Sequence, residues 1–274
     1  MDGIVDLGLG SMAAAYLLLI APLAILLFLR VPILRESGIA VVRMTVQLLF
    51  VGFYLQVVFR LNRPLLNLAW LTVMVLVADG SIVRGCRLAP RRFALPLFLA
   101  LLAGTALPVL VFVGPILRRP GILDAQYVIP IGGMILGNCL RADIIGLRQF
   151  YESIARAEKS HHLALAQGAR LGEALRPWFR EAIEAALRPT VATMATIGLV
   201  ALPGMMTGVI LGGGDPMTAI KYQIAIMIAI FAGTAITVFL AIALTVRRSF
   251  DAYGLLDRAI FRAAPRKTGD HPSP

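Results

Sequence analysis

The chain reads RADIIGLRQFYESIARAEKS over residues 141–160 and HHLALAQGARLGEALRPWFREAIEAALRP over residues 161–189. This polar stretch contains eight Lys or Arg residues and six Asp or Glu residues, and apolar runs flank it on both sides. A charged segment between two membrane spans lies in water rather than in lipid. We therefore expect residues 141–189 to contact something outside the membrane.

Composition indicates a membrane protein. Of the 274 residues, 59% are hydrophobic and 15% are charged, and the mean hydropathy is +0.83. Soluble globular domains carry roughly 25% charged residues, so these values are typical of a polytopic membrane protein. The net charge of +11 comes from short clusters between apolar runs. This distribution argues against a nucleic-acid partner, whose binding needs one concentrated basic patch.

The N-terminus bears on whether the chain has a signal peptide, and the cysteines bear on whether it has disulfide bonds. The first charges are Asp2 and Asp6, and no cation precedes Arg30, so the positive region of a signal peptide is missing. We therefore expect the first apolar run to remain in the mature protein. Cys86 and Cys139 are too few for a disulfide framework and form no CxxC motif.

Seven apolar segments have about the 20 residues needed to cross a bilayer. The predicted spans are 8–29, 39–59, 65–83, 93–113, 123–141, 190–211 and 219–246. The fifth is the weakest, because Pro130, Asn138 and several glycines interrupt its apolar sequence. If it does not cross, the topology reverses after it. The fold class predicted is an all-α polytopic membrane protein with about seven transmembrane helices.

The cations orient these spans. With the N-terminus outside, 21 of the 26 Lys and Arg residues fall on the cytoplasmic side, where such an excess is expected. The sequence therefore predicts an N-out, C-in protein with a transmembrane domain over residues 1–246. Residues 141–189 lie in the cytoplasm in this topology. Residues 247–274 form a basic cytoplasmic tail whose composition predicts disorder.

The polar stretch has helical patterning of its own. An apolar face with spacings of three and four residues follows the fifth span, at Leu147, Phe150, Tyr151 and Ile154. Pro177 suits the first position of a helix, so we expect a new helix to begin there. His161 and His162 point about 100° apart on a helix. We therefore expect solvated histidines rather than a pair of metal ligands.

Span two carries an unusual polar face. Arg43, Gln47, Phe50 and Tyr54 lie on one side of the predicted helix, because their spacings are four, three and four. An Arg and a Gln facing lipid are costly, so this face is expected to turn toward protein or a water-filled path. The alternative is a snorkelling Arg43 and a packing hydrogen bond from Gln47.

Spans five and six share a second pattern. Small residues recur four apart, at Gly133 and Gly137 and again at Gly204, Gly208 and Gly212. This spacing favours close helix packing, and a preceding proline loosens each helix. Met134, Met205, Met206 and Cys139 are soft potential metal ligands nearby, although methionine is also a common core filler. Without His or carboxylate at ligand spacing, the metal ligands stay undetermined.

No sequence motif of the chain supports an enzymatic function. Gly212, Gly213, Gly214 and Asp215 spell the GxGD string of intramembrane aspartyl proteases. That chemistry needs a second carboxylate close by, and Asp79 is expected at the opposite membrane face. HExxH, GxSxG and the Walker phosphate loop do not occur in the sequence. The chain is therefore not predicted to be an enzyme or to bind ATP by itself.

Four segments carry a family resemblance, which covers residues 40–246. They are RMTVQLLFVGFYLQVVF (43–59), PIGGMILGN (130–138), LALAQGAR with Glu173 and Ala174 (163–174), and RPTVATMATIGLVALPGMMTGVILGGGDPMTAIKYQI (188–224). Together they resemble the bacterial Fet-type iron-export permeases, the membrane subunits of ABC transporters. Plant aluminium-tolerance permeases are similar too.

The resemblance implies partners and site residues. The implied partners are a separate ATPase subunit, which binds ATP, and a second copy of this chain. The implied location is the bacterial cytoplasmic membrane. The chain itself is expected to bind no cofactor. ATPase docking falls on a loose EAA-like pattern, at Glu158, Ala164, Ala166, Gly168, Ala169 and Glu173. Residues expected to line or gate the path are Arg43, Gln47, Asn138, Pro203, Gly204, Met205, Met206 and Thr207.

Other functions stay open at this point. A permease of the same type could carry a non-metal substrate. A secondary transporter or channel without an ATPase would need intramembrane carboxylates, and in the sequence only Asp79 qualifies. A membrane-embedded assembly protein would leave transport unaffected when the chain is lost. Arg43 repels a bare cation, so it is expected to pair with a chelate, an anion or Asp79.

Overall fold

A computed structural model describes residues 8–117 and 123–260, and the regular elements in these ranges are helices joined by short loops. The helices are α1 (Leu9–Leu17), α2 (Ile20–Phe28), α3 (Leu34–Leu61), α4 (Pro64–Gly85), α5 (Pro90–Val111), α6 (Ala125–Arg156), α7 (Glu158–Ala166), α8 (Leu171–Thr196), α9 (Gly204–Leu211) and α10 (Pro216–Ser249). A π-helical turn, Phe112–Ile116, extends α5, and a 3-10 turn, Arg258–Ile260, follows α10. The predicted all-α membrane fold is confirmed.

Six segments within the described ranges are long and apolar enough to cross a membrane. They are Gly10–Phe28, Leu34–Leu61, Pro64–Gly85, Pro90–Ile116, Ala125–Arg156 and Pro216–Ser249. The weak fifth span is one of them, since α6 continues through Pro130 without a break. The predicted N-out, C-in orientation stays a prediction.

The segment predicted as another span, 190–211, is not one continuous helix in the structure. Helix α8 ends at Thr196, and Ile197 is extended. Gly198 has φ +87°, which ends the helix, and Pro203 precedes the eight-residue α9. A left-handed glycine and a proline cannot continue an α-helix. The apolar segment is therefore divided between the end of α8, a loop and the short α9.

Helix α10 is the centre of the core and packs against α5, α6, α8 and α9. The closest crossing joins α5 to α10, where a Cβ on Gly233 would lie 2.6 Å from the Gly104 carbonyl oxygen. Gly146 in α6 meets α10 in the same way, since its Cβ would lie 2.8 Å from Val238. Glycine permits such backbone approach between membrane helices.

The glycines predicted to mediate close packing do not do so in this chain. A Cβ on Gly137, Gly204 or Gly208 would meet no neighbouring atom within 4 Å, and one on Gly133 would meet only the flexible end of Met74 at 3.2 Å. Spacing of small residues is compatible with close packing but does not select which helix faces a neighbour. The close contacts lie instead at Gly104, Gly146 and Gly233.

The polar stretch is continuous with the core. Helix α6 runs to Arg156, and the predicted apolar face is confirmed, because Leu147, Phe150, Tyr151 and Ile154 are all buried. The expected helix start at Pro177 is wrong. Helix α8 begins at Leu171, where the Glu173 carboxylate accepts from the Arg170 backbone N–H at 2.8 Å and caps the helix.

The chain folds back after α10, which ends at Ser249 rather than at residue 246. Ile260 is buried, and its carbonyl accepts from the Ala89 N–H at 2.9 Å. Arg92 binds the Asp257 carboxylate at 2.5 Å, and this bond lowers the pKa of Asp257. The first part of the predicted tail therefore packs against the start of α5, and residues 261–274 lie outside the described ranges.

Candidate functional site

A cavity of about 350 Å³ lies between α6, α8, α9 and α10. It brings together Asn138, Pro203, Gly204 and Met205, four of the residues predicted to line a path, from separate parts of the sequence. Its other polar lining residues are Arg141, Thr190, Thr193, Thr196 and Gln223. The cavity is of the size that binds small ligands.

The break between α8 and α9 forms one wall of this cavity. The turn closes on itself, because the Gly198 N–H donates to the Ala201 carbonyl at 2.9 Å. Pro203 then starts α9 beside α10, and Thr207 donates its hydroxyl back to the Pro203 carbonyl at 3.1 Å. Thr207 therefore supports the start of α9 and does not line the cavity.

Three of the six polar side chains of the cavity, those of Asn138, Thr193 and Thr196, bond to backbone carbonyls of their own helices. Asn138 Nδ2 donates to the Met134 carbonyl at 2.8 Å, and the Thr193 hydroxyl donates to the Pro189 carbonyl at 2.9 Å. Gln223 differs, because its side chain is buried and its Oε1 has no hydrogen-bond partner among the described residues. Sequence analysis missed Gln223, although it lies in the KYQI segment at the end of the family-like block.

A second cavity, of about 400 Å³, adjoins the first and shares Pro203, Gln223 and Met227 with it. Met206 lines this neighbouring cavity together with Met194. Of the soft ligands proposed from sequence, Met134 and Met205 line the first cavity, while Cys139 is buried and lines neither. No cluster of three or more His, Cys, Asp or Glu side chains occurs in the described ranges.

Arg43 and Gln47 lie apart from both cavities. They line a hollow on the exposed face of α3, formed by residues of α3 alone. Helix α3 meets the core only near its C-terminal end, where Val58 is buried and Tyr54 stacks on Trp70 at 3.9 Å. Within the part of the chain described here, Arg43 forms no ion pair with Asp79, although sequence analysis considered one.

A buried carboxylate corrects the sequence analysis. Asp143 was assigned to the polar stretch, and Asp79 was named as the sole intramembrane carboxylate. Asp143 is fully buried in α6, where Thr237 of α10 donates its hydroxyl to Oδ2 at 2.9 Å and Oδ1 has no hydrogen-bond partner among the described residues. The signal was its position four residues before Leu147 and four after Cys139, on the core-facing side of α6.

The turn between α7 and α8 contains the residues predicted to dock an ATPase. Gly168 has φ +91° and ends α7 in a Schellman motif, since its N–H bonds to the Leu165 carbonyl and the Ala169 N–H bonds to Ala164. Ala166 and Gly168 are exposed, Ala164 and Ala169 are half-buried, and Glu158 lies 3.9 Å from His162. Glu173 caps α8.

Sequence analysis missed the most accessible apolar side chain of this turn. Leu163 is 59% exposed, although it lies one position before the predicted alanines. Single exposed leucines are common on protein surfaces, so this exposure shows that Leu163 is accessible and does not by itself indicate a partner. The signal was present in the sequence, because Leu163 is the apolar residue of α7 that falls outside the face of His161 and Leu165.

The inner side of the turn is packed, which contradicts the expected solvation of His161. His161 is 1% exposed, and its Nε2 lies 2.8 Å from the Gly254 carbonyl oxygen. The rings of Trp178 and Phe250 contact it at centroid distances of 5.5 and 5.8 Å. Helix α7 is thus attached to the segment that follows α10, and only His162 is partly exposed as expected.

We expect Gly168→Ala to destabilise the turn by about 1 kcal/mol. A Cβ there has open space, so the cost comes from the left-handed backbone alone. Gly172→Ala is the matched control, because this glycine lies inside α8 with equally open space and no positive φ. Hydrogen exchange of residues 164–170 should accelerate in the first variant only. Equal exchange in both variants would show that the turn tolerates a Cβ.

A family model and several known proteins match this chain. The model of a family described as uncharacterised protein family UPF0014 matches residues 9–250. The UPF0014 membrane protein slr1647 of Synechocystis is 36% identical over 77% of this chain and 82% of its own length. The probable iron export permease protein FetB of Escherichia coli is 31% identical over 88% of this chain and 92% of its own length.

A plant relative is similar as well. Protein ALUMINUM SENSITIVE 3 of Arabidopsis thaliana is 34% identical over 70% of this chain and 69% of its own length. No solved structure matches the chain. Residues 9–250, which the family model matches, include both cavities and the α7–α8 turn.

Proposed function

The chain belongs to the UPF0014 family of membrane proteins, and from this premise we propose that it is the permease subunit of an ABC transporter. We propose that it exports a metal ion, with iron as the first candidate. The relative named a probable iron export permease, which covers most of the chain, supports this assignment.

One observation carries the proposal. Helix α8 is continuous over 26 residues, which corresponds to a length of about 39 Å, and it includes Pro177 and Pro189. Its N-terminal end leaves the exposed α7–α8 turn, and its C-terminal end places Thr190, Thr193 and Thr196 on the cavity wall. A protein that moved the turn would therefore move the wall, which is what coupling of ATP hydrolysis to transport requires.

The proposed partners follow from what the sequence lacks. The chain has no Walker motif, so ATP binds to a separate ATPase subunit that docks at the α7–α8 turn. A second copy of the chain completes the pathway, and it covers the exposed polar face of α3 at Arg43 and Gln47. The complex is proposed to lie in a bacterial cytoplasmic membrane.

In the proposed mechanism, ATP closes the ATPase dimer and shifts α7 with α8. The connection of His161 to Gly254 carries the same movement to the end of α10. Both helices border the cavity, so the loop at Ile197–Pro203 and the start of α9 change position between inward and outward access. Asn138, Pro203, Gly204 and Met205 line this path, and Met206 lines its neighbouring cavity.

The test of the proposal is reconstitution. The tagged chain is co-expressed with the ATPase encoded beside it, purified, and placed in liposomes. We expect the two subunits to copurify and ATP hydrolysis to rise when iron is present inside the ATPase-facing compartment. Failure to copurify would contradict the ABC assignment, whereas copurification without iron stimulation would contradict the substrate alone.

Two buried carboxylates favour a second candidate, an ion-coupled transporter without an ATPase. Asp79 is 5% exposed and Asp143 is fully buried, and each has a carboxylate oxygen without a hydrogen-bond partner among the described residues. Intramembrane carboxylates often couple transport to protons or ions. Uptake into liposomes that contain this chain alone, driven by a pH gradient, would support this candidate over the first.

A further inference from the structure

The charge of the first cavity constrains the form in which its cargo binds. Among the residues that the structure describes, Arg141 is the one charged residue in the cavity lining, and no carboxylate, imidazole or thiolate joins it there. Arg141 forms no ion pair among the described residues. The carboxylate of Asp143, two residues further on, is turned away toward Thr237 of α10 and does not line the cavity.

A helix terminus adds to this positive potential. Pro203, Gly204 and Met205 form the start of α9, and all three line the cavity. The first N–H groups of a helix have no intrahelical acceptor, and this helix has no side-chain cap. Helix N-termini favour anions through these free N–H groups and through the helix dipole.

Buried polar groups complete the site. Gln223 is 8% exposed, lines the cavity, and has an Oε1 without a hydrogen-bond partner among the described residues. Such a buried polar atom costs free energy unless a ligand or water pairs with it. Asn138 uses one amide hydrogen on its own helix and keeps further hydrogen-bonding capacity. The cavity therefore combines a guanidinium, free backbone N–H groups and two amides.

The guanidinium and the backbone N–H groups are hydrogen-bond donors, which suit oxygen-rich anions and not a bare metal ion. Divalent and trivalent iron bind carboxylate, imidazole or thiolate ligands, all of which are missing from the cavity lining. Arg141 and the α9 terminus would also repel an uncomplexed cation. The thioethers of Met134, Met205 and Met227 supply apolar wall between the polar groups.

We propose that this cavity binds its cargo as an anion, namely a metal already complexed by a small carboxylate- or phosphate-bearing molecule. Arg141 and the α9 N-terminus bind the anionic oxygens, and Gln223 Oε1, which is a hydrogen-bond acceptor, accepts from a hydroxyl of the complex. This inference rests on the proposed role of the cavity as the translocation path. The permease then recognises the molecule that surrounds the metal and not the metal itself.

Equilibrium binding to the full-length chain in lipid nanodiscs tests the inference without any ATPase. The probes are ferric citrate, citrate alone, inorganic phosphate, and ferrous iron without a chelator. We expect ferric citrate to bind saturably and Arg141→Gln to weaken it by about tenfold or more, the loss typical of a charge-assisted hydrogen bond. Gln223→Leu should weaken the same probe while leaving thermal stability equal or higher.

Arg176→Gln is the matched control, because Arg176 is an exposed arginine of α8 that lies outside the cavity lining. Citrate or phosphate alone binding as tightly as ferric citrate would overturn the metal complex as the cargo, because the cavity would then recognise the free anion. Tight binding of ferrous iron that Arg141→Gln leaves unchanged would overturn the inference. Because no ATPase is present, either result is independent of whether the chain copurifies with one.

Discussion

A Gly233→Ala variant is expected to lose about 1–3 kcal/mol of stability, the usual cost of overpacking a core. The added Cβ would lie 2.6 Å from the Gly104 carbonyl oxygen and 2.9 Å from the Ile135 side chain. The first neighbour is backbone, so no rotamer change relieves the contact, and α5 must move away from α10. These two helices form the most extensive contact of the core.

The measurement is thermal unfolding of purified protein in detergent, followed by tryptophan fluorescence or by the soluble fraction after heating. Gly137→Ala is the control, because a Cβ there meets nothing within 4 Å and alanine favours the helix. Gly233→Val should be worse than Gly233→Ala. Unfolding temperatures that are the same for Gly233→Ala and Gly137→Ala would mean that α5 and α10 do not cross as closely as described.

A Leu163→Glu variant is expected to fold normally and to lose its ATPase partner. Leu163 is 59% exposed at the α7–α8 turn, so the substitution costs little within the chain itself. If the turn docks in a groove of the ATPase, the new carboxylate would be buried there without a partner. Central apolar contacts of an interface contribute about 2–4 kcal/mol, so the dissociation constant should rise about 30-fold or more.

Copurification and the ATPase rate in liposomes are the two readouts of this variant. Arg180→Glu is the control, because it adds a carboxylate to the exposed face of the following helix, α8, about two and a half turns beyond the start of that helix. The control should assemble normally. A Leu163→Glu chain that still copurifies and hydrolyses ATP at the normal rate would place the docking surface elsewhere.

Sequence predicted the elements of this fold with good accuracy, and it did so for local reasons. A long apolar run must be a helix in lipid, so six of the predicted spans correspond to helices of the structure. The spacing of Leu147, Phe150, Tyr151 and Ile154 identified the buried face of α6. The family-like segments also led to four residues that line one cavity, namely Asn138 from residues 130–138 and Pro203, Gly204 and Met205 from residues 188–224.

Sequence was less informative wherever a contact joins distant segments. Helical periodicity shows that a face is apolar but not which neighbour covers it, so the glycine contacts were assigned to Gly137 and Gly204 and lie instead at Gly104 and Gly233. His161 was expected in solvent because its partner, Gly254, is 93 residues away. Arg43 and Gln47 line a hollow that is formed by residues of α3 alone, and they line neither of the two cavities described above.

The sequence by itself determined that residues 141–189 are the polar, helical segment of a membrane protein, because charge and apolar periodicity are local properties. The tertiary structure decided that this segment begins inside the core, with Asp143 buried against Thr237, and ends at a cavity wall. The physical reason is that burial depends on which helices pack together. Packing is set by contacts between residues far apart in the chain, and no single stretch of sequence specifies them.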